Sequence, residues 1–198
     1  DPPTTGGQGA AGPRGFAGSA ALSKATRPGV PGFLSEDSVR RRLIVGNWKM
    51  HKTAAEATAL VHRLSELVPQ TGEVEVVLAP PFTALHAAAQ ALPPSRPFAL
   101  AAQNLYWEDE GPFTGEVSAP MLKDLGCQYV ILGHSERRHS FGDDDKKISK
   151  KVHAALRHGL RPILCVGESL SDRKKRRTKT VVTGQLRKCL EGISKDEL

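Results

Sequence analysis

The sequence predicts an α/β fold in which short parallel strands alternate with helices. From residue 43 onward it contains five short apolar runs. The stretches between several of these runs carry apolar residues at the 3.6-residue period of a helix. Near-continuous apolar runs are typical of strands that are covered on both faces, as in parallel sheets. Strand–helix units in succession therefore indicate a parallel sheet with right-handed crossovers.

The elements follow in chain order. The predicted strands comprise residues 43–47, 74–79, 98–103, 129–133 and 162–167. Helical stripes span residues 57–68, 121–125, 148–156 and 181–190. Three of these stripes stop close to a glycine, at Gly126, Gly159 and Gly192, which is a common way for a helix to end.

Polar side chains collect where the predicted strands end. They are Asn47, Lys49, Gln103, Asn104, His134, Glu136 and Glu168. The carboxyl ends of parallel strands meet at one edge of a sheet, so these side chains should share that edge. In a closed barrel this edge carries the active site, whereas an open sheet binds its ligand mainly at one switch point. The pattern by itself leaves both architectures open.

Composition indicates a globular chain without a membrane span. The 198 residues include 28 basic and 21 acidic side chains, for a net charge of +7, and 39% are hydrophobic. No stretch approaches the roughly 18 uncharged apolar residues that a membrane helix needs, so we expect no membrane partner. Three widely spaced cysteines argue against a disulfide framework and favour a reducing compartment.

The first 42 residues differ from the rest. Residues 1–42 are rich in Gly, Pro and Ala, and their few bulky apolar residues show no sustained period. We predict a disordered leader or linker, because such a segment buries too little surface to offset its ordering entropy. The absence of acids between Asp1 and Glu36, with several basic residues, also suits an organelle transit peptide such as a plastid one. Residues 43–198 form the predicted folded domain.

Five short motifs carry a resemblance to a known family. They are GNWKM at 46–50, AAQN at 101–104, FTGE at 113–116, LGHSERR at 132–138 and CVGE at 165–168. In order and spacing they resemble the signatures of the triosephosphate isomerases. The resemblance implies a TIM (β/α)8 barrel, which needs about 250 residues. The 156 residues from 43 to 198 suffice for only about the first five βα units, so we expect the general-base Glu of the family beyond Leu198.

The resemblance also implies an activity and site residues. The family interconverts dihydroxyacetone phosphate and D-glyceraldehyde 3-phosphate by enediolate proton transfer in glycolysis and gluconeogenesis, with no cofactor and no metal. His134 matches the electrophile, which in this family is known to be a neutral imidazole at a helix N-terminus. Lys49 matches the cation that attracts the substrate and stabilises the enediolate. Asn47 would contact the substrate, and Glu136 would be the carboxylate partner of Lys49.

Further residues match supporting positions of the family. Cys165 matches a buried cysteine that packs near the base, and Thr114 matches a residue that reaches the partner subunit. The loop from Tyr106 to Gly115 corresponds to the dimer contact, so the resemblance implies a homodimer. We expect a cytoplasmic enzyme with a small phosphorylated triose as substrate and no nucleic acid partner.

Other hypotheses remain beside the isomerase. The chain could be an inactive fragment or pseudoenzyme that acts only as a binding or assembly module, or a basic module that binds through its leader. We expect negligible isomerase activity from the 198-residue polypeptide alone, because it lacks the base. The basic run at 173–179 is interpreted as a solvated face, with anion binding as the alternative.

Overall fold

Five parallel strands in sequence order form the sheet of this protein, with helices between them. The computed structural model describes residues 42–69, 74–94 and 98–197. The strands are β1 (Arg42–Asn47), β2 (Val74–Ala79), β3 (Phe98–Ala102), β4 (Tyr129–Leu132) and β5 (Arg161–Leu164). Each strand pairs in parallel with the next, and the sheet curls into a half-barrel. The predicted α/β class and the partial TIM barrel are thereby confirmed.

The helices cover one face of the sheet. They are α1 (Ala54–Leu67), α2 (Phe82–Ala91), α3 (Ala119–Asp124), α4 (Ser135–Ser140), α5 (Asp145–Arg157), α6 (Leu170–Lys174) and α7 (Thr178–Cys189), followed by a 3-10 turn at Lys195–Glu197. Among the described residues, every helix is too short or too polar to span a lipid bilayer.

Alternation along the strands divides the apolar residues into two clusters. Leu78, Leu100 and Leu132 pack with helix residues such as Leu85 and Val152 in the larger cluster. The smaller cluster consists of strand residues and one cysteine that follows a strand: Val45, Val77, Ala79, Ala99, Ala101, Tyr129, Ile131, Ile163 and Cys165. Successive side chains of a strand point to opposite faces, so the smaller cluster marks the helix-free inner face of the curled sheet.

Local sequence explains where the helices begin. Thr53 and Glu56 form a capping box at the start of α1. Asp144 caps α5 by accepting from the backbone N–H of Lys147 at 2.8 Å. These caps fix the residue at which each helix begins after the loop that precedes it.

The observed boundaries correct several predicted ones. β1 begins at Arg42, inside the predicted leader of residues 1–42, because Arg42 pairs with Val74 in the ladder. The remainder of that leader lies outside the described residues. β3 and β4 each end one residue earlier than predicted, and β5 ends three residues earlier because the apolar residues Cys165 and Val166 follow its last paired residue. α2 was not predicted, because its buried side chains are mostly small alanines.

We expect Leu132→Ala to lower the free energy of unfolding by about 2–5 kcal/mol, because Leu132 is fully buried between β4 and the helices. Leu67→Ala is the matched control, since Leu67 is 60% exposed at the end of α1 and its truncation should change stability by no more than about 0.5 kcal/mol. Urea denaturation of both variants measures the difference. Equal losses would contradict the assignment of Leu132 to the core.

Candidate active site

A cavity of about 430 Å³ opens at the carboxyl ends of the strands. Its lining includes the strand-end residues Asn47, Lys49, Gln103, Asn104, His134 and Glu136. The structure thus brings together the polar residues that follow β1, β3 and β4, although they lie far apart in sequence. Glu168, which follows β5, is outside this lining.

An ion pair joins the loops after β1 and β4 within this cavity. Lys49 Nζ donates to Glu136 Oε1 at 2.7 Å, and each side chain is about half exposed. The hydrogen bond from Lys49 holds the pKa of the Glu136 carboxyl below its ordinary value. The Glu136 carboxyl is therefore ionised at neutral pH, and it orients the Lys49 head group while leaving part of it accessible to a ligand.

The backbone of Lys49 has an unusual conformation. Its φ is 52°, in the left-handed region that a residue with a Cβ adopts only at a cost of roughly 1–3 kcal/mol. Two side chains hold this turn. Asn47 Oδ1 accepts from the Lys49 N–H at 3.0 Å. Gln103 Nε2 donates to the carbonyl oxygens of Lys49 at 2.9 Å and of Ala79 at 2.8 Å, which ties the turn to the end of β2.

His134 is positioned by the turn that ends β4. Gly133 has φ 72°, and a Cβ there would lie 3.0 Å from the Cys165 carbonyl oxygen, so this turn requires glycine. His134 is the N-cap of α4, and its Nδ1 accepts from the backbone N–H of Glu136 at 3.3 Å. An acceptor at Nδ1 puts the proton of a neutral imidazole on Nε2, which is then able to donate.

A buried polar network connects two walls of the cavity. Lys151 Nζ donates to both carboxylate oxygens of Asp143 and to Asn104 Oδ1, each at 2.9 Å. Arg137 Nε donates to Asp143 Oδ2 at 2.8 Å. Only 4% of the Lys151 side chain and 6% of the Asp143 side chain are exposed. Since Asn104 and Arg137 line the cavity, this network fixes the loop after β3 against α4.

Burial and pairing act on this network in opposite directions. Burial disfavours the charged Asp143 carboxylate, but the hydrogen bonds from Lys151 and Arg137 prevail and keep its pKa below the ordinary value. Burial lowers the pKa of Lys151 despite its contacts with Asp143. The four charged side chains of the cavity lining are Lys49, Arg137, Glu116 and Glu136, so positive and negative charges balance there.

Cys165 lies on the inner face of the sheet, outside the cavity. It packs against the inner-face cluster that includes Ala101, Tyr129 and Ile131, and burial raises the pKa of its thiol. A thiol with a raised pKa is protonated and unreactive at neutral pH, so the role of Cys165 is packing and not nucleophilic chemistry. The structure therefore does not bring Cys165 to the residues of the cavity.

Thr114 is exposed in the long loop after β3. Within this loop Tyr106 stacks on Trp107, with ring centroids 4.1 Å apart, and contacts Phe113 at 4.6 Å. Asp109 accepts from Arg157 Nη2 at 2.7 Å and contacts His158 Nε2 at 2.8 Å, which anchors the loop to the end of α5. The loop is thus held as a defined surface.

Sequence reasoning assigned no role to several residues that shape the cavity. Gln103 and Asn104 were noted only as strand-end polar residues, and Arg137, Asp143 and Lys151 were not singled out. One signal was available for Lys151, because it occurs within the apolar stripe of α5 beside Ile148 and Val152. A basic residue at such a position indicates a buried partner.

Known proteins are similar to this sequence. The family model described as triosephosphate isomerase matches residues 42–198. The chain is 51% identical over 160 residues to the triosephosphate isomerase of Chloroflexus aurantiacus, an alignment that covers 81% of this chain and 64% of that protein. It is 52% identical over 155 residues to that of Moorella thermoacetica, covering 78% and 61%. The chain thus spans less than two thirds of the length of these curated relatives.

Replacing Gln103 tests the support of the Lys49 turn. Gln103→Leu should lower the free energy of unfolding by about 1–3 kcal/mol, because the Lys49 carbonyl oxygen loses its side-chain donor and the Ala79 carbonyl oxygen keeps only the Trp48 N–H. Gln90→Leu on the exposed side of α2 is the control, with an expected change within about 0.5 kcal/mol. Urea denaturation compares the two. If they are equally stable, Gln103 does not hold the turn.

Comparing the stability of a single and a double variant tests the buried network. Lys151→Met should cost about 3–5 kcal/mol at neutral pH, because the buried Asp143 carboxylate keeps only Arg137. The double variant Lys151→Met/Asp143→Leu should lose less than the single one, since it removes both nearly inaccessible charges and leaves only the more exposed Arg137 without its carboxylate. Denaturant unfolding measures both, and a double variant less stable than the single would contradict the account.

The same network predicts the response to acid. The contribution of Asp143 is present above the ordinary carboxyl pKa of about 3.9 and is lost as pH falls through its lowered folded pKa. The advantage of the wild type over Asp143→Asn should therefore narrow as the medium becomes more acidic than about pH 4. Unfolding curves across this range provide the measurement, and an advantage independent of pH would exclude the carboxylate as its source.

Proposed function

This chain belongs to the triosephosphate isomerase family, and from that premise we propose that it acts in the interconversion of dihydroxyacetone phosphate and D-glyceraldehyde 3-phosphate. The observation that carries the proposal is the placement on one cavity of the paired Lys49 ammonium and of the His134 imidazole, whose Nδ1 accepts from a backbone N–H. Both groups are of the kind that stabilises a developing enediolate.

Lys49 supplies the positive charge for the substrate. Its ammonium attracts the dianionic triose phosphate and stabilises the oxyanion of the enediolate. The contact with Glu136 keeps the Lys49 head group oriented before the substrate arrives, so little side-chain entropy is lost on binding. Asn47 holds the Lys49 turn through its Oδ1 and presents its amide to the substrate.

His134 polarises the carbonyl group. With Nδ1 accepting from the Glu136 N–H, the Nε2–H donates to the carbonyl oxygen as the adjacent carbon loses its proton. A neutral donor suits this step because it can share a hydrogen bond with the enediolate oxygen without transferring a full charge. Cys165 contributes packing on the inner face of the sheet, outside the cavity.

Proton abstraction requires a carboxylate that is not engaged elsewhere. Among the residues that line the cavity, the carboxylates are Glu116 and Glu136, and Glu136 is paired with Lys49. We assign the general-base role that the family resemblance implies to neither of these two carboxylates. The present residues then serve substrate binding and enediolate stabilisation.

We also propose a homodimer that forms through the loop from Tyr106 to Gly115, with Thr114 reaching the partner's site. The anchoring of this loop by Asp109 and its stacked aromatic rings support the proposal, because a preformed surface loses little entropy on association. We propose a cytoplasmic location because all three cysteines are free thiols, which is typical of proteins in a reducing compartment.

Ligand binding tests the proposed function directly. Isothermal titration of the 198-residue chain with dihydroxyacetone phosphate should give saturable binding, while unphosphorylated dihydroxyacetone should not bind. Lys49→Met should weaken the binding at least about tenfold, the equivalent of roughly 1.4 kcal/mol, because the substrate loses its nearest cation.

The matched control for this test is Lys52→Met, which removes an exposed lysine three positions away. Its dissociation constant should stay within about twofold of the wild type, since Lys52 is not part of the cavity lining. A wild-type chain that fails to bind, or equal weakening by both substitutions, would overturn the assignment.

A further inference from the structure

The positive charge of the folded part of this protein is concentrated in one turn. Six of the seven residues at 173–179 are Lys or Arg, and we call this segment the basic turn. From residue 42 to the end, the chain has 23 basic and 18 acidic side chains. Without the basic turn it has 17 basic and 18 acidic ones. The excess is therefore local rather than spread over the surface.

The cations of the basic turn are exposed, and most of them are not neutralised. Arg173 Nε contacts Glu168 Oε1 at 3.0 Å, and Arg177 Nη1 contacts Asp172 at 3.7 Å. The other four, Lys174, Lys175, Arg176 and Lys179, make no ion pair within the described part of the chain. All seven residues of the turn are exposed. Like charges this close repel one another, so the arrangement is unfavourable unless an anion is bound.

The start of α7 adds to this imbalance. Its N-cap is Arg177, which makes no side-chain capping bond, and its first turn contains no acid. By contrast, Thr53, Asp144 and Ser169 cap α1, α5 and α6. Basic residues at a helix N-terminus oppose the helix macrodipole, whereas an anion there would be stabilised. The same anion would relieve both this effect and the repulsion between the four unpaired cations.

The basic turn is also held in a fixed geometry. Glu168 Oε1 accepts from Arg173 Nε at 3.0 Å and from Thr178 Oγ1 at 3.3 Å. Gln185 on α7 binds both backbone groups of Gly167, at 2.8 Å and 3.1 Å. These contacts fasten both sides of the turn to the loop after β5. The cations are therefore presented on a structured surface and not on a flexible tail.

We propose that the basic turn binds the sugar-phosphate backbone of a nucleic acid duplex. Three of its six cations are arginines, whose planar guanidinium groups suit phosphate oxygens. Residues 171–180 contain no apolar or aromatic side chain, so the turn has nothing to insert into a bilayer, to stack on bases or to form the core of a protein interface. Binding is therefore electrostatic and independent of base sequence. This revises the expectation of no nucleic acid partner.

The salt dependence of binding provides the test. A fluorescent DNA duplex of about 20 base pairs is titrated with the 198-residue chain, by anisotropy, between about 25 and 200 mM KCl. Four uncommitted cations predict a slope of about −3 to −4 for the logarithm of the association constant against the logarithm of salt concentration. The variant Lys174→Gln/Lys175→Gln/Arg176→Gln should reduce the steepness by nearly 3 and weaken binding at low salt at least about tenfold.

A control variant separates local binding from net charge. Lys146→Gln/Arg187→Gln/Lys195→Gln removes three exposed basic residues outside the turn, so the two triple variants carry the same net charge. The control should retain the wild-type slope. Circular dichroism and thermal unfolding verify that both variants are folded, and Lys49→Met should bind the duplex as the wild type does, which separates this proposal from the isomerase assignment.

Three outcomes would overturn the proposal. Equal slopes for the two triple variants would show that only net charge matters. Tighter binding to vesicles containing about 30% phosphatidylserine than to the duplex at the same salt concentration would assign the turn to an anionic membrane surface. Equal binding of poly-glutamate would show that the turn does not select phosphate.

Discussion

One ion pair joins the two halves of the candidate site. Lys49 and Glu136 are 87 positions apart in sequence, and their 2.7 Å contact links the loops after the first and fourth strands. The contact is possible because parallel strands place their carboxyl ends at one edge of the sheet. The orientation of the Lys49 head group depends on this arrangement. A βα unit without its neighbours would hold only one of the two charges.

Two features of the site are unfavourable in free energy by themselves and are stabilised by contacts with neighbouring residues. Lys49 adopts a left-handed backbone conformation, which Asn47 and Gln103 stabilise from two sides. Beneath the cavity, Lys151 and Asp143 are charged and nearly inaccessible to solvent. Such groups are tolerated only when their hydrogen bonds are satisfied, and Asn104 and Arg137 complete them. The residues that satisfy these buried groups also form the walls of the cavity, so stability and site geometry are coupled.

Charge is distributed unevenly over the molecule. The cavity lining carries equal numbers of acidic and basic side chains, and its two cations each contact a carboxylate. The basic turn after β5 holds most of its cations without partners in the described part of the chain. The cavity and the basic turn, which both follow carboxyl ends of strands, thus differ in how their charges are paired. One has oriented, paired charges suited to a small ligand, and the other has an exposed excess suited to an extended polyanion.

Sequence by itself determined the α/β class, the five strands and the polar residues at their ends. Apolar runs and helical periods are local patterns, and the motifs around Lys49 and His134 were sufficient to predict the family. Strand ends were less accurate, because apolar sequence continues after the ladder stops, as it does beyond Leu164. Only the tertiary structure decided that Lys151, Asp143 and Asn104 meet, or that Gln103 supports the Lys49 turn. Those contacts join residues of separate βα units, and no local pattern encodes which distant residues a curled sheet brings together.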